Sequence, residues 1–187
     1  MARVIKAAGA MDMRDASEDS FAALVRSIMY QQLAGAAATA IHGRFLKLFP
    51  AGLSPAAVLK LPEGSMRAAG LSGSKQAAIT DLARKIEDGT VPLHDVDSLS
   101  DDELVARLVQ VRGIGRWTAE MFLMFQLRRL DVWPVEDYGV RKGWALAHKL
   151  AAPPKPRALE EEGDRFRPYR SVAAWYCWRV VDTVLPV

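Results

Sequence analysis

The segment VRGIGRWTAEMF, residues 111–122, constrains the fold of this 187-residue chain more than any other part of it. A helical pattern of apolar residues runs from residue 101 to about 110, and a second one begins near Arg116. The sequence therefore predicts a helix, a tight hairpin and a second helix over about residues 101–128. Gly113 and Gly115 suit a turn that needs positive backbone angles or close approach by another chain.

The same hairpin predicts an anion site made of backbone. Because glycines carry no side chain, the amides of the turn and of the second helix's first turn can face a phosphate, and the helix dipole favours the anion. An alternative remains open. Gly113 can simply be the residue that ends the first helix, which is the commoner role of an isolated GxG sequence.

Helical periodicity extends over most of the remaining chain. It predicts helices over residues 21–30 and 33–49, two short pieces that meet at Pro62, and a longer helix from GLSGSK to Gly89. Ser100 and Glu103 form a capping box at the start of the next helix. Strand-like alternation never runs far, so the fold class is all-α. A surface loop is expected over residues 151–168, where prolines precede a charge cluster.

Composition is compatible with one globular domain and excludes several kinds of chemistry. Half of the residues are hydrophobic, which is enough for one core or for a core split into two small lobes. The single cysteine, Cys177, excludes an internal disulfide, a cysteine-ligated iron–sulfur cluster and a zinc ribbon. A net charge of +3 permits an anionic partner. Neither a membrane span nor a secretory signal is evident, so we expect a cytoplasmic, nucleoid-associated protein.

Four segments, in order along the chain, resemble one family. The main likeness is carried by LVARLVQVRGIGRWTAEMF upstream of PVEDYG, and it is extended by IMYQQLAGAAATAIHGRF, GLSGSKQAAITDLA and PYRSVAAWYCW. The chain resembles the helix-hairpin-helix (HhH-GPD) superfamily of DNA glycosylases, in the branch that acts on alkylated purines, the 3-methyladenine DNA glycosylase II type. The likeness covers about residues 21–182.

The resemblance implies a fold. It is a single all-helical domain over residues 1–187 with two lobes, one formed by about residues 30–135 and the other by the N- and C-terminal helices together. The active cleft would lie between the lobes. Nothing in the chain corresponds to the mixed sheet domain that often precedes the glycosylase core, so a compact form of the family is expected.

The resemblance also implies a catalytic carboxylate, Asp137, which lies in PVEDYG fifteen residues after Phe122. An N-glycosidic bond that breaks early leaves positive charge on the sugar, and a fixed carboxylate stabilises that charge and orients or deprotonates water. The helix predicted after Asp137 would help to keep it ionised. By itself, an aspartate before a helix is more often only a cap. Glu136 is the weaker candidate.

Electron-poor alkylated purines, several of them cationic, favour a pocket with aromatic walls. Trp117 and Trp178 match family positions that line such a pocket, and Tyr138 is a third candidate wall. Met121 stands where the better-known bacterial relatives carry an aromatic residue, which leaves the lesion range open. Without the likeness, tryptophans in apolar helices would more often be core residues.

Access to a base in duplex DNA requires its extrusion and a side chain that fills the gap. Leu33 matches the family's inserted wedge, although a leucine at a helix start is usually a core residue. The residues expected to contact DNA are Gln32, Leu33, Arg112, Gly113, Gly115, Arg116 and Thr118, with Arg141 and Lys142 as further candidates. A bridging alkali cation, Na⁺ or K⁺, is implied on the backbone carbonyls of Val109, Val111 and Ile114. No cofactor is expected to be required.

Trp117 bears on the type of reaction. Relatives that also cut the DNA strand carry a lysine at this position, and its amine attacks the sugar, which tryptophan cannot do. The resemblance thus implies a monomeric enzyme of base excision repair that releases a base from damaged double-stranded DNA and has no lyase activity. Two alternatives stay open. One is a glycosylase for deaminated or oxidised purines, and the other is a hairpin module that binds DNA without catalysis.

Overall fold

The computed structural model describes residues 2–11 and 19–182, and every regular element within these ranges is helical. The all-α prediction is confirmed. The helices are α1 Ala2–Ala8, α2 Ser20–Tyr30, α3 Gly35–Leu46, α4 Pro55–Leu59, α5 Ser65–Ala68, α6 Gly73–Glu87, α7 Asp101–Leu108, α8 Arg116–Phe125, α9 Tyr138–His148, α10 Pro156–Gly163 and α11 Arg170–Asp182, with a 3₁₀ turn at Asp164–Phe166. None of these helices is long and apolar enough to span a membrane.

The chain forms two compact units. The first, which we call the hairpin unit, comprises residues 16–122 and contains α2 to α7 and most of α8. The second, which we call the carboxylate unit, combines the segment before residue 16 with residues 123–187, and it contains α1, the end of α8 and α9 to α11.

The hairpin unit follows the helical pattern of its sequence closely. Leu24 and Ile28 of α2 and Ile79 and Leu82 of α6 are almost fully buried, as their spacings of three and four predict. The predicted capping box is present at the start of α7, where Ser100 and Glu103 bond reciprocally to each other's backbone amides. These local signals explain why the helix before the hairpin begins where it does.

In the carboxylate unit, α9 and α11 pack at very close range. Gly143 of α9 faces the backbone of Cys177 in α11, and a Cβ at residue 143 would lie 2.8 Å from the Cα of Cys177 and closer still to its carbonyl. Cys177 is fully buried, and desolvation raises the pKa of its thiol to about 12. The thiol is therefore protonated and unreactive at neutral pH.

The prediction of a surface loop over residues 151–168 is wrong from residue 156 on, where α10 and the 3₁₀ turn lie. Pro156 lies in the first turn of α10, where a missing backbone N–H costs nothing. Leu159 is fully buried in this helix, and its carbonyl accepts a hydrogen bond from Trp133 Nε1 at 2.9 Å. A sequence rich in proline and charge therefore forms a helix that is packed through Leu159 and Gly163.

Candidate functional site

In the carboxylate unit, Asp137 lies at the N-cap of α9. Its Oδ1 accepts hydrogen bonds from the backbone N–H of Val140 at 2.7 Å and from the indole Nε1–H of Trp178 at 2.9 Å. The side chain is half-buried. The capping role is therefore real, and it comes together with a tryptophan contact from another helix that a cap does not require.

The surroundings of Asp137 are aromatic. Trp178 stacks on Phe125 with ring centroids 5.8 Å apart, and a Cβ at Gly139 would lie 2.8 Å from the indole, so only glycine leaves room for it. Tyr138 is 61% exposed, and the guanidinium of Arg141 lies 5.7 Å from its ring centre. The structure thus places Asp137, Tyr138 and Trp178 in one neighbourhood. Phe125 was not among the predicted wall residues, although it follows Met121 by one helical turn.

The segment before α9 is fixed to the start of α11 by a charge cluster. Arg170 bonds both carboxylate oxygens of Asp131, at 2.7 and 3.0 Å, and Arg167 adds a third bond at 2.9 Å. Burial raises the pKa of the Asp131 carboxyl, but Arg170 and Arg167 outweigh this effect, so the pKa lies below its ordinary value. The buried hydroxyl of Ser171 bonds the backbone of Val132 at 2.9 Å.

In the hairpin unit, residues 109–115 form the predicted turn between α7 and α8. Gly113 has φ +80°, so the turn needs glycine there. Gly115 has no positive φ, and nothing would contact a Cβ at that position, so the structural demand we expected applies to Gly113 alone. Arg112, Gly113, Gly115 and Arg116 are all exposed. The turn therefore faces solvent, as the anion-site prediction requires, although the backbone N–H of Arg112 is already bonded to Asp81.

Two side chains of α6 bond the backbone of the hairpin. The Asp81 carboxylate accepts a bond from the Arg112 backbone N–H at 2.8 Å, and Lys85 bonds the carbonyl of Gln110. Lys85 also pairs with Asp81 at 3.0 Å. Burial raises the pKa of Asp81, but the Arg112 amide and Lys85 lower it more, so the carboxyl keeps its charge well below neutral pH.

The candidate base-pocket residues of this unit line a cavity of about 480 Å³. Trp117 is 45% exposed, which excludes a core role, and Met121 is half-buried. The lining residues are Arg26, Ser27, Tyr30, Gln31, Gln32, Trp117, Thr118 and Met121. Four of them, Arg26, Ser27, Tyr30 and Gln31, were not predicted; their only sequence signal is their position in the last turn of α2 and directly after it.

The predicted wedge lies in a short connection between α2 and α3, residues 31–34, which we call the wedge loop. Leu33 is 38% exposed and so is not a core residue. Gln32 adopts φ +56°, a left-handed conformation that is unusual for glutamine. Thr118, predicted to contact DNA, is only 4% exposed, and its hydroxyl accepts a bond from Gln31 at 3.3 Å.

Within residues 2–11 and 19–182, no group of three or more His, Cys, Asp or Glu side chains could hold a metal ion. The carbonyls of Val109, Val111 and Ile114 lie at the hairpin, and that of Val111 accepts the Ile114 N–H at 3.1 Å. Such a set offers oxygen ligands only, which suits a hard cation such as Na⁺ or K⁺.

The family model of the HhH-GPD superfamily of base excision DNA repair proteins matches residues 25–168. The chain belongs to this superfamily. The matched region takes in the wedge loop, the hairpin and Asp137, and it ends just before α11, which carries Trp178.

Individual HhH-GPD proteins are similar to this chain over nearly its whole length. DNA-3-methyladenine glycosylase 1 of Schizosaccharomyces pombe is 34% identical over 176 residues, which cover 91% of this chain and 77% of that protein. The structure of the Schizosaccharomyces pombe 3-methyladenine DNA glycosylase in complex with abasic DNA matches with a TM-score of 0.84 and 32% identity, over 97% of this chain and 91% of the other. A DNA-3-methyladenine glycosidase from Bacillus halodurans matches with a TM-score of 0.88 and 31% identity, over 98% and 84%.

The chemistry available to this HhH-GPD chain follows from its two groups of residues. The carboxylate unit offers a fixed anion with aromatic neighbours, which suits a reaction that develops positive charge. The hairpin unit offers an exposed glycine turn and exposed arginines for phosphates, together with a cavity that has a tryptophan wall. Residue 117 of the hairpin unit is a tryptophan, whose side chain has no amine nucleophile.

Proposed function

We propose that the protein is a monofunctional DNA glycosylase of base excision repair that extrudes alkylated purines of the 3-methyladenine and 7-methylguanine type and hydrolyses their N-glycosidic bond. The single observation that carries this proposal is the fixation of Asp137 by Val140 and Trp178 within a family of base excision enzymes. The 3-methyladenine glycosylase names of its relatives support the substrate class.

In the proposed mechanism the purine leaves as the bond to the sugar breaks, and Asp137 stabilises the positive charge left on the sugar. The carboxylate then orients water, or takes a proton from it, as oxygen attacks the sugar carbon. The two N–H donors keep its Oδ1 in place, so little reorganisation is required when charge develops.

The aromatic candidates support a preference for electron-poor bases. Trp117, Tyr138 and Trp178 present exposed or half-buried rings that can stack on a cationic purine. Met121 would add a polarizable side chain to the wall at a position that is aromatic in the better-known bacterial relatives.

The reaction should stop at the abasic site. A strand-cutting enzyme needs an amine that forms a Schiff base with the sugar, and Trp117 occupies the position of that lysine. We also propose that the carbonyls of Val109, Val111 and Ile114 bind Na⁺ or K⁺ when DNA is present. Such a cation would strengthen phosphate binding at the hairpin without taking part in bond cleavage.

The test is a survey of the bases released from duplex DNA containing 3-methyladenine, 7-methylguanine, hypoxanthine or an oxidised purine. We expect release of the two methylated purines, an abasic product that breaks only after alkali treatment, and no covalent adduct on borohydride reduction. Release of only hypoxanthine or the oxidised purine would show that the substrates are deaminated or oxidised purines and not alkylated ones. A borohydride adduct would refute the absence of lyase activity.

The same assay tests Asp137. In Asp137→Asn the amide oxygen can still accept the Val140 and Trp178 bonds, and asparagine caps helices as well as aspartate does. The variant should therefore fold and bind DNA, while base release falls about 100-fold or more because the charge is lost. Glu136→Gln, at the exposed neighbouring carboxylate, is the control and should act like the wild type. Normal turnover by Asp137→Asn would refute the mechanism.

A further inference from the structure

The wedge loop is a strained connection that must be held from outside. It has four residues between α2 and α3, and Gln32 adopts its left-handed conformation in the middle of it. A non-glycine residue in this conformation is strained, and contacts with its surroundings must offset that strain. Leu33 is the next residue, so the backbone that sets the direction of the predicted wedge is the one that carries this strain.

Lys75 holds the N-terminal end of the loop. Its ammonium, on α6, donates to the carbonyl of Met29 at 2.5 Å and to the carbonyl of Gln31 at 2.8 Å. Both carbonyls lie at the C-terminal end of α2, where backbone acceptors have no partner within the helix and a positive charge is favourable. Partial burial lowers the pKa of Lys75, as expected for an ammonium drawn from water towards these carbonyls.

Gln31 connects this same end of the loop to the hairpin. Its amide Nε2 donates to the carbonyl of Gly113 at 3.0 Å and to the hydroxyl of Thr118 at 3.3 Å. Gly113 is the residue with positive φ in the hairpin turn, and Thr118 lies in the first turn of α8. One side-chain amide thus spans the turn and the helix start that together form the predicted phosphate site.

We propose that Gln31 and Lys75 are positioning residues that hold the wedge loop in a fixed position relative to the hairpin. Gln31 would then tie the gap-filling Leu33 to the backbone that grips phosphates. This inference rests on the proposed function, because the position of the wedge loop relative to the hairpin matters only if a base is extruded. Neither residue would touch the reacting atoms.

The physical reason for such a link is geometric. Phosphates recur along DNA at a fixed spacing, so a protein that grips the backbone at one point can fill a base gap only at a set distance from it. Gln31 crosses directly from the wedge loop to the hairpin turn through one hydrogen bond. If this link is lost, the hairpin should still bind DNA, but Leu33 would no longer be held at the gap.

The experiment compares single-turnover release of 7-methylguanine from a duplex and from the corresponding single strand, since an unpaired strand has no base pair to open and no gap to fill. Gln31→Met keeps the length of the side chain and removes both donors. We expect release from the duplex to fall about tenfold, as loss of one or two hydrogen bonds allows, and release from the single strand to fall less than about threefold. Lys75→Met should likewise lose more activity on the duplex than on the single strand.

Two further variants separate positioning from folding. Lys75→Arg keeps a charged donor and should retain most of the rate of release from the duplex. Gln31→Asn is polar, but its side chain is one carbon too short to reach both Gly113 and Thr118, so the rate of release from the duplex should fall. Gln76→Met is the matched control, because the amide of Gln76 bonds only within its own region, to the carbonyl of Leu71 at 2.8 Å. It should change neither rate.

Equal losses on duplex and single strand, in both Gln31→Met and Gln31→Asn, would overturn the inference and leave Gln31 a merely structural residue. An unchanged duplex rate in both variants would also overturn it. If the wild-type protein releases no base from either substrate, the proposed function fails, and this inference fails with it. A wild type active on the duplex together with a selective duplex defect in the variants supports both.

Discussion

The indole N–H of Trp178 and the backbone N–H of Val140 converge on one oxygen of Asp137. Hydrogen bonds to an ionised acceptor are about twice as strong as neutral ones and restrict its orientation. At the scale of single residues, Trp178 therefore has two possible functions. Its ring stacks on Phe125 with one face and can contribute the rest of its surface to a wall for a base, and its N–H orients the carboxylate.

Trp178→Phe separates these two functions, because phenylalanine keeps an aromatic face and loses the donor. We predict that the rate of the chemical step falls about tenfold, the equivalent of one charge-assisted hydrogen bond, while DNA binding changes little. The measurement is single-turnover base release together with DNA affinity. Trp175→Phe, in the same helix and away from Asp137, should behave like the wild type. Equal rates for the two variants would show that the N–H is dispensable.

At the scale of secondary-structure elements, the close packing of α9 on α11 depends on Gly143. Asp137 caps α9 and Trp178 belongs to α11, so this packing brings the carboxylate and its indole donor together. A side chain at residue 143 would overlap the backbone of Cys177, which cannot rotate away as a flexible side chain could. The two helices would have to separate.

We predict that Gly143→Ala lowers the free energy of unfolding by about 3 kcal/mol. The steric overlap with the Cys177 backbone destabilises the fold by more than the better helix propensity of alanine stabilises it. Gly43→Ala is the matched control. Gly43 also lies within a helix, but nothing lies within 4 Å of a Cβ there, so alanine should stabilise by about 0.5 to 1 kcal/mol. Urea unfolding of both variants provides the measurement, and a change of the same sign in both would contradict the packing argument.

At the scale of the whole molecule, acid stability should depend on Asp131. Its pKa is lowered by Arg170 and Arg167 in the folded protein, so the folded state binds its proton less readily than the unfolded chain does. The stability that comes from this difference is fully present above the unfolded pKa of about 3.9, and it is lost as the pH falls through the lower folded value.

Asp131→Asn removes this titration. We predict that the variant is less stable than the wild type by about 1 to 2 kcal/mol at pH 7, because its amide cannot replace the charged bonds to the arginines. The difference should stay constant down to about pH 5 and shrink below about pH 4. Chemical unfolding over this pH range measures it. A difference that is as large at pH 3 as at pH 7 would mean that Asp131 contributes through packing alone.

The sequence by itself determined the helical class, most helix positions and the hairpin. These depend on local physical chemistry, such as apolar residues at spacings of three and four, the Ser100–Glu103 cap and a glycine at positive φ. The candidate residues Asp137, Trp117 and Trp178 came from likeness to a family, and their roles remain predictions. The loop expected over residues 151–168 was wrong from residue 156 on, because α10 is buried through Leu159 and bonded to Trp133, which is distant in sequence.

Only the tertiary structure decided which side chains meet. Trp178 and Asp137 are 41 residues apart, and Gln31 is 82 residues from Gly113 and 87 from Thr118. A glutamine after a helix has no local pattern that reveals a distant acceptor, since its amide is equally well satisfied by water in an extended chain. Folding withdraws these polar groups from water, and each must then find its partner on whichever element packs beside it.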